Sequence, residues 1–120
     1  MSDYGAHPTQ YGNLSDGNLY AMYRESVYRS LSESQKLDLL QETVNRDAAA
    51  RGEVGSPKVR FENLPSGTDG YAEKGIISVN RDLAVNGTRT ATYQGKTLQH
   101  TINDYNIQSL VTVLHENVHC

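Results

Sequence analysis

The chain predicts an α+β fold: an N-terminal helical hairpin, a small twisted sheet with a β-hairpin, and a C-terminal motif helix packed on the sheet. Three observations carry this. Apolar residues recur at helical spacing from Leu19 to Val44. After Gly55-Ser56-Pro57 the pattern changes to polar–apolar alternation, and helical spacing returns from Ile107 to Val118.

The first 15 residues, rich in Gly, Ser, Asn, Pro and Tyr, lack periodicity and are expected to be a flexible lead-in to a single domain over 16–120. His7 lies there and is expected to be solvated. A first helix is predicted over Asp16 to Leu31, with Leu19, Met22, Tyr23, Val27 and Tyr28 as its stripe and Ser15 or Asp16 as its cap. The second helix starts at a capping box, Ser32 with Gln35, and carries Leu37, Leu40, Val44 and Ala48-Ala49-Ala50 to Arg51, with Gly52 as the C′ residue. Lys58-Val59-Arg60-Phe61-Glu62 alternates as a half-buried strand does, Leu64 to Gly70 reads as a loop, and Gly75 to Asn80 is the best strand. Asn86-Gly87 marks a turn, followed by a hairpin pairing Thr90–Tyr93 with Thr97–His100 around Gly95.

The last helix is predicted with Ile107, Leu110, Val111, Leu114 and Val118 as its buried stripe and Asn103 or Asp104 at its start. It holds His115-Glu116-Asn117-Val118-His119, which is H-E-x-x-H. Residues four apart stand one above the other on a helix, so His115 and His119 can direct imidazole nitrogens at one cation. Glu116 is rotated beside them, where its carboxylate reaches a metal-bound water rather than the metal. Zinc brings the pKa of such a water toward neutrality, and the carboxylate takes its proton and later passes it on.

On these five residues the chain resembles the zincin metallopeptidases, and in outline it is similar to metallopeptidase-like domains at the C-termini of large bacterial secreted and polymorphic-toxin proteins. The resemblance implies a bound Zn2+ as cofactor, His115 and His119 as ligands, Glu116 as general base, and a peptide or protein substrate. It implies a twisted sheet packed on the motif helix, whose edge strand accepts an extended peptide as a further strand. Catalytic zinc sites have three protein ligands and an open position, and in zincins the third ligand lies downstream of the motif. This sequence departs from that pattern, since only Cys120 follows His119. Three explanations stand: the chain is a piece of a longer protein, which is the one we favour; the ligand comes from upstream or from another chain; or the site is inactive.

Other residues carry less. Cys120 lies about 100° around the helix from His119, which separates the two as ligands or as a nucleophile pair, and a free thiol is expected. A lone cysteine also excludes an internal disulfide framework. Asp104 is about 16 Å from His115 by helical rise, too far to share its ion. His100 is expected to be structural or exposed, Glu73 and Asp82 solvated, and Tyr105 too far upstream to serve an oxyanion. Gly67-Thr68-Asp69-Gly70 lacks the ending of a phosphate loop, and no G-x-S-x-G elbow occurs.

Composition narrows the classes further. The 120 residues are 37% hydrophobic with no Trp, and eight Tyr stand against one Phe, which predicts a thin core with aromatics suited to wet edges. A net charge of −3 without a basic run argues against a dedicated nucleic-acid partner. No apolar run approaches the roughly 20 residues that span a bilayer, and Met1-Ser2-Asp3-Tyr4-Gly5 has no secretory signal, so no membrane partner is expected. Location is then either cytoplasmic or exported within a larger protein. Three functional readings follow: a zinc-dependent, metallopeptidase-like hydrolase; a non-catalytic protein-interaction module with an accidental or degenerate H-E-x-x-H; or a structural metal site shared between chains.

Overall fold

The computed structural model describes residues 3–120 and has an α+β architecture. In chain order the elements are α1 (Asp16–Ala21), α2 (Glu25–Ser30), α3 (Glu33–Ala50), β1 (Lys58–Glu62), β2 (Gly70–Glu73), β3 (Ile76–Asn80), a π-helical turn (Asp82–Asn86), β4 (Thr88–Tyr93), β5 (Lys96–Thr101) and α4 (Tyr105–His119). A three-stranded sheet has the order β1-β3-β2, with β1 parallel and β2 antiparallel to β3. α3 packs on β1, α4 packs on β2 and β3, and the two helices lie against each other. The core sits between these layers, with Leu39, Leu40 and Val44 of α3 meeting Val59, Ile77, Val79 and Val113.

The expected helix over 16–31 is two helices. Ser15 caps the first, its hydroxyl accepting from the Asn18 amide. The break comes at Tyr23, whose carbonyl accepts a bond from the Asn106 side chain at 2.8 Å instead of continuing a helical ladder, and Arg24 is extended. Tyr23 and Tyr28 are buried and stacked, and the Tyr23 hydroxyl bonds Thr43 of α3 at 2.7 Å. The capping box of α3 is present in both directions, and Gly52 follows its end at φ +82°.

The lead-in is docked rather than loose over the residues described, while Met1 and Ser2 of that expectation lie outside them. Gly5 and Ser56 exchange backbone bonds of 3.0 and 2.8 Å, Thr9 donates to Glu42, and Asn45 donates to the His7 carbonyl. His7 is half-buried, and its Nε2 lies 2.7 Å from the Asp3 carbonyl. The α3 side chains supply what the aperiodic sequence lacks.

Two parts of the sheet region depart from the expectation. β2 falls partly in the stretch read as a loop and is joined to β3 through Lys74 and Gly75, both at positive φ. Ile76–Asn80 is therefore the central strand, and Gly70–Glu73 is an edge. The β4–β5 hairpin forms around Gln94-Gly95, extending beyond the predicted ranges at Thr88, Arg89, Lys96 and Thr101, and every β5 residue is exposed. Among the described residues no helix is long and apolar enough to cross a membrane.

Candidate metal centre

The helix that carries the motif is pinned at both ends. At its start Arg29 donates to the Asn103 carbonyl at 2.7 Å, and Tyr105 packs edge-on against Tyr28. Gly87, at φ +67°, lets the chain pass where a Cβ would lie 2.7 Å from the Tyr105 ring. At its end the buried Asn117 donates to Asp47 of α3 at 2.9 Å, while Arg51, paired with the same carboxylate, donates to the Asn117 carbonyl at 3.4 Å. Asn117 lies between the two histidines, so this network sets the rotation of the motif turn.

That rotation differs from the one its apolar spacing predicts. The buried residues of α4 are Tyr105, Asn106, Ser109, Thr112, Val113 and Asn117. Ile107, Val111 and Val118 are 43, 53 and 67% exposed, and Leu110 and Leu114 are half-buried. The physical reason is the close approach of the neighbours. An added Cβ on Gly70 would lie 2.8 Å from the Thr112 methyl, so nothing larger than threonine fits where β2 meets this face. Ser109 and Thr112 satisfy their hydroxyls on α4's own carbonyls at 2.6 and 2.7 Å.

His115 and His119 both lie on the exposed side, their ring centres 4.7 Å apart and their planes inclined by 71°. Zinc–nitrogen bonds of about 2.1 Å put each ring centre about 3.2 Å from a shared ion, and a tetrahedral angle then separates the centres by about 5 Å. The observed centres are separated by about that distance, in an edge-on arrangement. Among the described residues no group of three or more His, Cys, Asp and Glu side chains is placed to hold one metal ion.

Glu116 is half-buried and faces a cleft of about 390 Å³ between α4 and the segment Gly67 to Gly70. His115, Val111 and Gln108 border the same cleft, whereas His119 lies one turn beyond its lining. Across from the helix, Asp69 is clamped by Arg89 through two bonds of 2.9 Å, and these bonds push the guanidinium further toward its charged form. The Gly67 amide bonds the Thr90 carbonyl at 3.1 Å, so the β4–β5 hairpin holds one wall. On the sheet side the Asn80 amide bonds the Asp69 carbonyl at 2.7 Å. In an antiparallel ladder this alternation turns the amides of Gly70 and Ala72 outward along the free edge.

The remaining candidates lie elsewhere. His100 is exposed on β5 opposite Arg89, and Glu73 is exposed at the end of β2. Asp82 opens the π-helical turn, Asp104 bonds Gln108, and Tyr105 is buried in the core. The Cys120 thiol is exposed, 4.0 Å from the Ile76 carbonyl. Sequence reasoning missed Gly70, the Asp69–Arg89 clamp and the Asp47–Asn117 support. None has a local signature, since each depends on two elements that meet only in the folded chain. No protein-family model, curated protein or solved structure matches this chain.

Proposed function

We propose that this chain is a zinc-dependent, metallopeptidase-like hydrolase domain. The single observation that carries the reading is the His115–His119 pair, 4.7 Å apart on one side of α4 with Glu116 turned toward the adjoining cleft. His115 and His119 would hold the ion. Zinc, when bound, lowers the pKa of a coordinated water toward neutrality and polarises a carbonyl oxygen. Glu116 takes the proton from the attacking water and returns it to the leaving nitrogen. Gly70, the first residue of β2, borders this cleft, and the free edge that runs on from it offers outward amides on which an extended peptide is added as a further strand. Gly70, without a side chain, keeps that edge pressed close to Glu116.

Metal analysis of the purified chain tests the first half: bound zinc is expected, at no more than one ion per chain. Glu116→Gln tests the second half, and should keep the zinc while abolishing hydrolysis of a peptide library. A variant that hydrolyses as the parent does would remove Glu116 as the base. A protein-interaction module without catalysis is the second reading, favoured by the exposed apolar residues Ile107, Val111 and Val118 on α4. It predicts no zinc and no change on substituting Glu116.

A further inference from the structure

Ile107, Val111, His115 and His119 are spaced four apart and so form one ridge along α4, the kind of row that interdigitates when two helices pack. The ridge is flanked by Leu114 and the exposed Val118. Nothing on it carries a fixed charge, so two copies facing each other bring no like charges together. The apolar area that Ile107, Val111 and Val118 leave open is roughly 300 Å², the scale of the largest patch on an ordinary monomer. A stable interface needs about 800 Å² from each partner. This face is therefore too small to hold two copies by apolar contact alone, and it ends in two cation-binding side chains. Within the described residues those two have no third ligand, whereas zinc in a closed site takes four.

We infer that zinc joins two copies of this chain along α4, with His115 and His119 of each copy supplying the four imidazoles. The inference rests on the reading above in one respect, that this pair takes zinc. It adds a regulation of the same site. Four imidazoles leave no open position for water, so the paired form is silent and only the separated chain can bring Glu116 into use.

Sedimentation equilibrium of the whole chain, in zinc chloride and then in excess chelator, with zinc content measured on the same samples, tests it. The expected result is twice the 13.3 kDa chain mass with one zinc for two chains, returning to a single chain in chelator. Val111→Lys and Val118→Lys change exposed positions and leave both histidines in place. Each should abolish the zinc-dependent doubling while the circular dichroism spectrum is kept; His115→Ala should do the same. One zinc on a single, unpaired chain at every chain concentration overturns the inference and leaves the hydrolase reading standing. A pair that persists in chelator, or in His115→Ala, overturns it too, because the cation is then not the joint. Absence of zinc from every sample overturns both.

Discussion

Gly70→Ala adds one methyl group where the edge strand meets the motif helix. The new Cβ would lie 2.8 Å from the Thr112 methyl and 2.9 Å from the Ser78 carbonyl oxygen, with the Glu116 side chain at 3.5 Å. Neither close neighbour can step aside cheaply. Thr112 is β-branched, buried and bonded to its own helix, and Ser78 is the backbone of the central strand. Relief requires β2 to move off α4 by about half an ångström, and overpacking of this kind costs about 1–3 kcal/mol. Removing a glycine from a strand returns about 0.5–1 kcal/mol. The expected net loss is about 1 kcal/mol, read as a lower urea midpoint with unchanged slope in unfolding followed by circular dichroism. Adding Thr112→Ser removes one of the two contacts, so the double variant should be more stable than the sum of the single changes. If Gly70→Ala unfolds at the parent's midpoint or above it, the close packing of β2 on α4 is wrong, and the position of Glu116 with it.

Three further outcomes follow from the same geometry. Asn117→Ala removes the bond to Asp47 from a buried position and should cost about 1–2 kcal/mol; hydrogen exchange should show the last turn of α4 opening before the rest of the helix. A hydrogen bond from Ser78, then one from Tyr71 and the charge of Arg60, hold the Glu62 carboxyl below its usual range. Its contribution to stability is therefore present above the unfolded carboxylate value of about 4.3 and is lost as pH falls through the lower folded value; NMR titration should find the midpoint depressed, and Ser78→Ala should raise it. Ser32→Ala removes the hydroxyl that accepts from the Gln35 amide and leaves the Ser32 amide's bond to the Gln35 side chain; it should cost about 1 kcal/mol, a fall of about 3–6 °C in Tm for a domain of this size.

Where a residue's job is local, the sequence announces it. Ser32 and Gln35 satisfy each other within one turn, Gly95 at φ +75° turns the hairpin with its neighbour Gln94 at φ +50°, and Ile77 and Val79 are buried in β3. β2 is different. It has four residues, two of them Gly and Ala, and becomes a strand because β3 offers an edge. The break at Tyr23 is made by Asn106, 83 residues away.

The motif helix combines both cases. Its existence and the spacing of its histidines are legible, and so is the apolar stripe of Ile107, Val111 and Val118. Which side faces inward is not, because packing selected Asn106, Ser109 and Asn117 for fit and hydrogen bonding over the larger aliphatic side chains. Hydropathy ranks residues by transfer from water and carries no information about a strand that presses too close for a leucine.

The outward reach of the second hairpin has a practical side. Its tip, Gln94-Gly95, touches nothing that a larger residue would displace at Gly95, and the whole of β5 is open to solvent. Its base, by contrast, is fastened to the cleft wall through Arg89 and Thr90. The tip is thus the natural place to splice in an epitope or a fluorophore, giving a reporter that rides on the wall beside Glu116 without entering it.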